Sequence, residues 1–128
     1  MHRFAAPLAL AVALIASVHA TDAYIIVQKS PLAGFQYYDG KGLWDMMRVG
    51  DTLQLAREPQ NPHDANAVRV EWRGQMLGYV PRRENGDVAR QMDRGVPVKA
   101  RIVQLKPARN PWQRIEFEVY VELSPTRR

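Results

Sequence analysis

The sequence contains no cysteine among its 128 residues. Disulfide bonds, a thiol nucleophile and any zinc site built on cysteine are therefore excluded. Histidine is almost as scarce, because His2 and His19 lie near the N-terminus and His63 is the only one beyond residue 20. A multi-histidine metal centre cannot form from the chain beyond that point. We therefore expect no metal and no cofactor.

Short motifs that accompany several catalytic mechanisms are also missing. The sequence has no phosphate-binding P-loop, no Gly-x-Ser-x-Gly nucleophile turn and no His-Glu-x-x-His zinc motif. His63 and Asp64 form a lone adjacent pair without a second histidine nearby. We therefore expect a protein that is not an enzyme and that acts by binding.

One long apolar run is present, from Ala5 to Val18, and Arg3 precedes it. The positive start, the short apolar stretch, and Val18 and Ala20 at the −3 and −1 positions predict a cleaved export signal over residues 1–20. The run is shorter than the roughly 20 residues that a permanent membrane anchor needs. We expect an exported protein, periplasmic or secreted. The alternatives are an uncleaved N-terminal anchor and a wrongly assigned start codon.

The rest of the chain has the pattern of short β-strands separated by turns. Apolar and polar residues alternate over residues 115–123, which predicts one buried face and one solvent-facing face. Arg73 and Gly74 predict a hairpin turn, with Gly74 in a left-handed conformation. The other predicted strands cover residues 24–29, 52–56, 67–72, 75–80 and 98–102. The pattern predicts a mainly β fold with two short α-helices, a small six-stranded antiparallel barrel of the oligonucleotide-binding or SH3-like kind.

Two helices are predicted from apolar residues at i, i+3 and i+4. These residues are Leu43, Met46 and Met47 in the first helix and Val88, Ala89 and Met92 in the second. Asn85 is expected to cap the second helix, and Gly95 to end it. We interpret both apolar stripes as core packing. The folded domain is then expected over residues 21–123, with residues 124–128 as a basic C-terminal tail.

The segment from Pro59 to Asn66 links two predicted strands and is a candidate binding site. Two prolines restrict its backbone, and Asn61 and Asp64 are turn formers that can bond to their own backbone. A rigid, capped loop explains these two residues well. It explains Gln60 and His63 less well.

A second candidate segment carries the adjacent tyrosines Tyr37 and Tyr38. On an extended backbone they would point to opposite faces, so at least one should be exposed to solvent. An exposed tyrosine offers a flat face to a base or sugar and a hydroxyl to a phosphate. Spacing alone slightly favours the alternative, in which one tyrosine packs in the core and the other has no role.

Together these segments resemble the HIRAN domain, a module of fork-remodelling ATPases. The matching landmarks are G-F-Q-Y-Y-D-G at 34–40, R-E-P-Q-N-P-H-D-A-N-A-V at 57–68, G-Q-M-L-G-Y-V-P-R at 74–82 and the helix predicted over 85–94. The resemblance covers residues 30–96, and the combination of landmarks is specific where each alone is not. It is most similar to the stand-alone bacterial form, in which no ATPase follows.

The resemblance implies a compact β-barrel that holds the 3′ end of single-stranded DNA. The pocket would lie between the tyrosine pair and the Asn-Pro-x-Asp loop. Carried over by residue, Tyr37 and Tyr38 would contact the DNA backbone and stack on a base. Asn61 would hydrogen-bond the end nucleotide, and Asp64 would accept a hydrogen bond from the terminal 3′-hydroxyl. His63 would stack.

Three positions depart from the eukaryotic form of the family. His63 replaces an aromatic residue, Gln36 replaces an arginine and Tyr79 replaces a histidine. The change at Gln36 removes the charge from one phosphate contact. The resemblance therefore carries over more strongly for base stacking than for phosphate binding.

Arginines close to the last landmark could bind phosphates instead. Arg82 and Arg83 follow it directly, and Arg90 and Arg94 share one face of the second predicted helix. Such a patch would give a salt-dependent affinity for nucleic acid. The alternative is an ordinary solvated helix face with acidic neighbours. The sequence pI of about 9.9 favours an anionic partner, whereas the formal net charge of +5, which falls to +4 when Arg3 is removed with the export signal, is only modest support.

The sequence therefore predicts a non-catalytic HIRAN-like module that binds nucleic acid, through single-stranded DNA or its 3′ end. The candidate binding residues are Gln36, Tyr37, Tyr38, Gln60, Asn61, His63, Asp64, Tyr79, Arg82 and Arg83. A second interpretation is an exported envelope module that keeps the barrel but binds a protein or another ligand, because genomic DNA ends are not present outside the cytoplasmic membrane.

Overall fold

The computed structural model describes residues 23–123. Six strands in this range, numbered β1 to β6 along the chain, form one antiparallel sheet in the order β1-β6-β5-β2-β3-β4. The strands are β1 (Ala23–Pro31), β2 (Thr52–Arg57), β3 (Val68–Trp72), β4 (Gln75–Tyr79), β5 (Val98–Leu105) and β6 (Ile115–Leu123). The helices are α1 (Gly40–Leu43) and α2 (Asn85–Asp93). Single 3-10 turns lie at Phe35–Tyr37, Trp44–Met46, Arg82–Glu84 and Pro111–Gln113. The predicted export signal over residues 1–20 and the basic tail over residues 124–128 lie outside the described residues.

The mainly β fold with two short helices is confirmed. Strand β3 shows why the alternation works, since Val68, Val70 and Trp72 are buried while Arg69 and Glu71 point to the other face. Burying each of these large apolar side chains contributes about 1.5–3 kcal/mol. The same core takes in residues from all strands except β1, and α2 covers one side of it.

The hairpin between β3 and β4 turns at Arg73 and Gly74, as predicted. Both residues have left-handed backbones, with φ of 50° at Arg73 and 81° at Gly74. Two successive positive φ values match the right-handed twist of the flanking strands. The hairpin therefore places the end of β4 beside the loop that precedes β3.

The sheet is not closed into the predicted barrel. Its edge strands β1 and β4 are joined by one bridge just beyond the end of β1, where Ala33 and Tyr79 exchange N–H···O bonds of 2.9 Å each. The chain then turns away at Gly34, whose φ of 80° ends any further pairing. The barrel prediction therefore holds for its six antiparallel strands and not for their closure.

The first predicted helix is shorter and lies earlier than expected. Helix α1 ends at Leu43, and a 3-10 turn replaces its continuation over Trp44–Met46. Met47 is buried, but Met46 is 53% exposed, so the apolar stripe is only partly a core stripe. Gly40 allows this early start because a Cβ there would clash with the ring of Phe35.

Helix α2 begins at Asn85, and the prediction that Asn85 caps the helix was wrong. Its side chain is buried and donates from Nδ2 to Asp64 Oδ2 at 2.7 Å. The expected core contacts of this helix are confirmed for Val88 and Ala89, which are buried. The Asn85 side chain therefore stabilises the β2–β3 loop and does not cap its own helix.

The alternation predicted for β6 holds in part. Leu123 is 48% exposed, while Glu118 and Tyr120 on the opposite face are buried. The cause is Arg101 on β5, which donates to Glu118 at 2.6 Å. Its guanidinium lies 4.4 Å and 4.6 Å from the ring centres of Tyr24 and Tyr120. This cluster therefore covers part of the sheet face that the alternation had predicted to be exposed to solvent.

Candidate nucleic-acid interface

A cavity of about 270 Å³ lies between the turn after β1, the β2–β3 loop and the end of β4. We call it the Tyr38 pocket. Its lining residues are Ala33, Tyr38, Asn61, His63, Asp64, Ala67, Tyr79, Val80 and Arg82. The fold thereby brings six of the candidate residues to one place from three separate segments of the chain.

The tyrosine pair lies on a 3-10 turn rather than on an extended segment. Tyr37 is 75% exposed and Tyr38 is 39% exposed, so the prediction that at least one ring is exposed is confirmed, although the extended backbone assumed for it was wrong. A Cβ added to Gly34 would lie 3.3 Å from the Tyr38 ring and 3.9 Å from the Tyr37 ring, so both rings flank this glycine. Tyr38 also packs edge-on against Tyr79, with 6.0 Å between ring centres.

The β2–β3 loop is held by hydrogen bonds from its own side chains. Asn61 Oδ1 accepts from the His63 N–H at 2.8 Å, and Asp64 Oδ1 accepts from the Asn66 N–H at 2.9 Å. The other Asp64 oxygen, Oδ2, accepts from Asn85 Nδ2, so each carboxylate oxygen accepts one hydrogen bond from a neutral donor. A carboxylate has about four acceptor positions, so Asp64 keeps capacity for a ligand hydroxyl.

Glu58, which the sequence did not single out, organises the wall of the pocket. Its Oε1 accepts from the Tyr79 hydroxyl at 2.8 Å and from Asn61 Nδ2 at 2.9 Å. Its Oε2 accepts from Arg69 Nη1 at 2.9 Å. The Tyr79 hydroxyl is thus already engaged, so Tyr79 forms a wall of the pocket.

The pKa values of this network follow from the same contacts. Burial disfavours the charged form of Glu58, but hydrogen bonds from Asn61 and Tyr79 and the charge of Arg69 outweigh it, so the pKa of Glu58 is lowered. Burial and the hydrogen bond to Glu58 raise the pKa of Tyr79 to about 12. At neutral pH the network therefore holds a Glu58 carboxylate against a neutral Tyr79.

Arg57 fixes the far end of the loop and was also missed. Its Nη1 and Nη2 donate to the carbonyls of Ala67 and Ala65 at 2.7 Å and 3.0 Å. Its Nε donates to Asp93 of α2 at 2.9 Å. Arg57 and Glu58 are adjacent in the sequence and directly precede the prolines of the loop. In the sequence, the only sign of this role was the position of the two charged residues directly before the proline-restricted loop.

The other candidate residues lie outside the pocket. Gln36 and Tyr37 are exposed on the tyrosine turn and do not line the cavity. Gln60 lines a separate depression formed by residues 57–62. Arg83 is exposed and follows Arg82, but only Arg82 reaches the pocket.

Comparison with known proteins places this geometry in a family. The family model of the HIRAN domain matches residues 25–124. The chain belongs to the HIRAN domain family. The match includes β1 and β6, so the HIRAN domain extends beyond the residues 30–96 that carried the sequence resemblance.

Two solved structures resemble this HIRAN domain. A protein from Lactobacillus plantarum is 27% identical, with 79% of this chain and 97% of that chain covered and a TM-score of 0.68. The HIRAN domain of human HLTF is 18% identical, with 77% of each chain covered and a TM-score of 0.57, which shows a shared fold. No curated protein matches the sequence.

The predicted arginine patch of this HIRAN domain is partly neutralised. Arg90 pairs with Asp87 on the same helix, and Asp93 pairs with Arg57. Within residues 23–123, Arg82 and Arg83 make no ion pair and are exposed. Of the four arginines in the predicted patch, Arg82, Arg83 and Arg94 therefore keep a charge that no ion pair in this part of the chain offsets, and Arg82 lines the Tyr38 pocket.

In the described part of the chain, no group of three histidine, cysteine or acidic side chains is arranged to hold a metal ion. None of the helices between residues 23 and 123 is long and apolar enough to cross a membrane.

Proposed function

We propose that this HIRAN domain is a non-catalytic module that binds single-stranded DNA and holds the 3′ end of the strand in the Tyr38 pocket. The observation that carries the proposal is the convergence of Tyr38, Asn61, His63, Asp64 and Arg82 on one cavity. These side chains supply an aromatic face, an amide, an imidazole, a carboxylate and a cation. That set fits the base, sugar hydroxyl and phosphate of one terminal nucleotide.

Aromatic stacking supplies the affinity for bases. The Tyr38 ring lines the pocket and the Tyr37 ring is exposed next to it. Stacking of a base on an aromatic side chain contributes about 1–3 kcal/mol and tolerates any base. Arg82 at the pocket mouth would neutralise the first phosphate, which adds a salt-dependent term to the affinity.

Selection for a hydroxyl end follows from Asp64. Its carboxylate accepts from Asn66 and Asn85, which are neutral donors, and forms no ion pair within the described residues. No ion pair in this part of the chain therefore offsets the carboxylate, which would attract a hydroxyl donor and repel a terminal phosphate. The cavity of about 270 Å³ is also smaller than the ~300–1,000 Å³ of common ligand sites, so it suits one end group rather than an internal stretch of strand.

The proposal is tested by titrating a fluorescent single-stranded oligonucleotide with the wild type and with Tyr38→Ala. The matched control is Tyr24→Ala, because Tyr24 is 43% exposed and Tyr38 is 39% exposed. We expect Tyr38→Ala to weaken binding about tenfold through lost stacking, and Tyr24→Ala to leave it unchanged. Equal affinities for the two variants, or no binding by the wild type, would refute the proposal.

We also propose that the domain is exported, with residues 1–20 as its signal. The DNA would then be extracellular or incoming rather than genomic. Cell fractionation checks this, and a domain confined to the cytoplasm would contradict it.

One observation favours the second candidate function, an envelope protein partner. Strand β1 is an edge strand of the sheet over residues 23–123, and it carries exposed apolar side chains, with Tyr24 43%, Ile25 54% and Ile26 47% exposed. An edge strand of this kind can accept a strand from another protein. A partner crosslinked to the exported domain and lost in the Ile25→Lys variant would support this function, and capture unchanged by that substitution would count against it.

A further inference from the structure

A second cavity lies on the other side of the tyrosine turn. Its volume is about 340 Å³. We call it the Trp44 cleft, and it is lined by Phe35, Lys41, Trp44, Asp45, Pro107, Ala108 and Arg114. The cleft thus combines two aromatic rings with two cations and a single acidic side chain.

The aromatic floor of the cleft is rigid. Trp44 packs edge-on against Phe35, with 5.8 Å between ring centres and 83° between ring planes. Phe35 is buried and Trp44 is half-buried, so part of the indole face stays open to the cavity. A ring fixed in this way can stack on a base without a further loss of side-chain freedom.

The cations of the cleft are placed for an anion. Arg114 Nε donates to the Ala108 carbonyl at 2.8 Å, and its guanidinium lies 5.2 Å from the Phe35 ring centre. Lys41 is exposed at the rim. Among residues 23–123 neither cation forms an ion pair, so their charge is not neutralised by the protein.

The cleft and the Tyr38 pocket are both lined by residues of one short turn. Phe35 lines the cleft, Tyr38 lines the pocket, and Tyr37, which lies between them in the sequence, has an exposed ring. A strand that left the pocket along this turn would come to the residues of the cleft, including Trp44 and Lys41.

We propose that the Trp44 cleft binds the nucleotides that precede the strand end, with a base on Trp44 and a phosphate between Lys41 and Arg114. This inference rests on the proposed function of the Tyr38 pocket. It assigns the module a longer footprint than the end nucleotide alone.

The test compares a thymidine dinucleotide with a hexanucleotide, both with free 3′-hydroxyls, by competition against a labelled strand. The wild type should bind the hexanucleotide about tenfold more tightly, because stacking contributes about 1–3 kcal/mol per base. Lys41→Gln should weaken hexanucleotide binding about threefold and lower the salt slope by about one. It should not change dinucleotide binding.

Lys29→Gln is the matched control, since Lys29 is an exposed lysine on β1 and removes the same charge. Asp45→Asn should act in the opposite direction and tighten hexanucleotide binding. Trp44→Leu should weaken it about fivefold. If Trp44→Leu fails to fold, the exposed Lys41 and Asp45 substitutions still decide the question.

Two results would overturn the inference in distinguishable ways. If Lys41→Gln and Lys29→Gln bind the hexanucleotide equally while the dinucleotide still binds, the cleft is not part of the site and the pocket function stands. If the wild type binds neither oligonucleotide, the proposed function fails and the inference fails with it.

Discussion

At Glu58 a single carboxylate holds together side chains from β3, from β4 and from the β2–β3 loop. Three hydrogen bonds of 2.8–2.9 Å reach it from Tyr79, Asn61 and Arg69, and its side chain is 21% exposed. Charge-assisted hydrogen bonds in partly buried surroundings are stronger than neutral ones. Glu58 is therefore a positioning residue for the pocket wall and does not itself line the cavity.

We expect Glu58→Gln to destabilise the fold by about 1–3 kcal/mol, because a neutral amide leaves Arg69 and Tyr79 poorly paired. Urea unfolding measures this change. The control is Glu122→Gln, which removes an exposed ion pair with Lys99 at 2.8 Å and should cost clearly less stability than Glu58→Gln. Equal losses in the two variants would contradict the role of Glu58.

The same comparison has a defined pH dependence. Because the pKa of Glu58 is lowered in the fold, its contribution is present above the ordinary value of 4.5 and is lost as the pH falls through the folded-state pKa. The stability gap between wild type and Glu58→Gln should therefore be constant near neutral pH and shrink in acid. At the alkaline end the raised pKa of Tyr79 means that its contribution is lost as the pH rises towards about 12. A gap that does not change on acidification would contradict this assignment.

Residue types alone revealed part of the site. Asn61 and Asp64 could be predicted as turn formers, since one oxygen of each accepts a hydrogen bond from a backbone N–H two residues later in the same loop. Glu58 could not be found in this way, because its partners Arg69 and Tyr79 come from strands whose register the sequence does not specify. The engaged hydroxyl of Tyr79 was missed for the same reason.

Among the secondary-structure elements, β4 depends on Gly78 to bring the tyrosine turn to the pocket. Gly78 lies at a register shift against β3, with a φ of 155°. A Cβ at this position would clash with the carbonyl oxygen of Ala33. The glycine therefore permits the bridge between Ala33 and Tyr79 that joins the two edges of the sheet.

We expect Gly78→Ala to destabilise the fold by about 2 kcal/mol or more, because it adds backbone strain and pushes Ala33 away. Thermal or urea unfolding checks this loss. Gly42→Ala is the matched control: Gly42 lies in α1 with open space at its Cβ, so that change should be neutral or stabilising by up to about 1 kcal/mol. A Gly78→Ala protein as stable as the wild type would rule out this dependence on glycine.

Sequence patterns over a few neighbouring residues correctly predicted the elements whose backbone geometry those same residues determine. The Arg73-Gly74 hairpin and the alternation of β3 are set by neighbouring residues, and both were predicted correctly. The tyrosine turn was not, because its shape depends on contacts with β4, including the bond from the Asp39 N–H to the Met76 carbonyl at 3.0 Å. Sheet closure failed as a prediction for the same reason, since it depends on where the chain leaves β1.

In the molecule as a whole, residues of one turn, Phe35 and Tyr38, line the two proposed DNA-binding cavities. The exposed apolar residues of β1 line neither cavity. The pocket mouth carries Arg82 and the cleft carries Lys41 and Arg114. By contrast, Arg57, Arg69 and Arg101 are used in ion pairs that hold the fold. A strand binding at the turn should therefore show a moderate salt dependence that reflects a few phosphate contacts.

We propose above that the Tyr38 pocket recognises a strand end with a free hydroxyl. The most direct measurement compares the affinity of the wild type for one oligonucleotide with a 3′-hydroxyl and the same oligonucleotide with a 3′-phosphate, at two salt concentrations. We expect about tenfold tighter binding of the hydroxyl end, which corresponds to about 1.4 kcal/mol, at both concentrations. Equal affinity for the two ends would show that the pocket does not recognise the terminal hydroxyl.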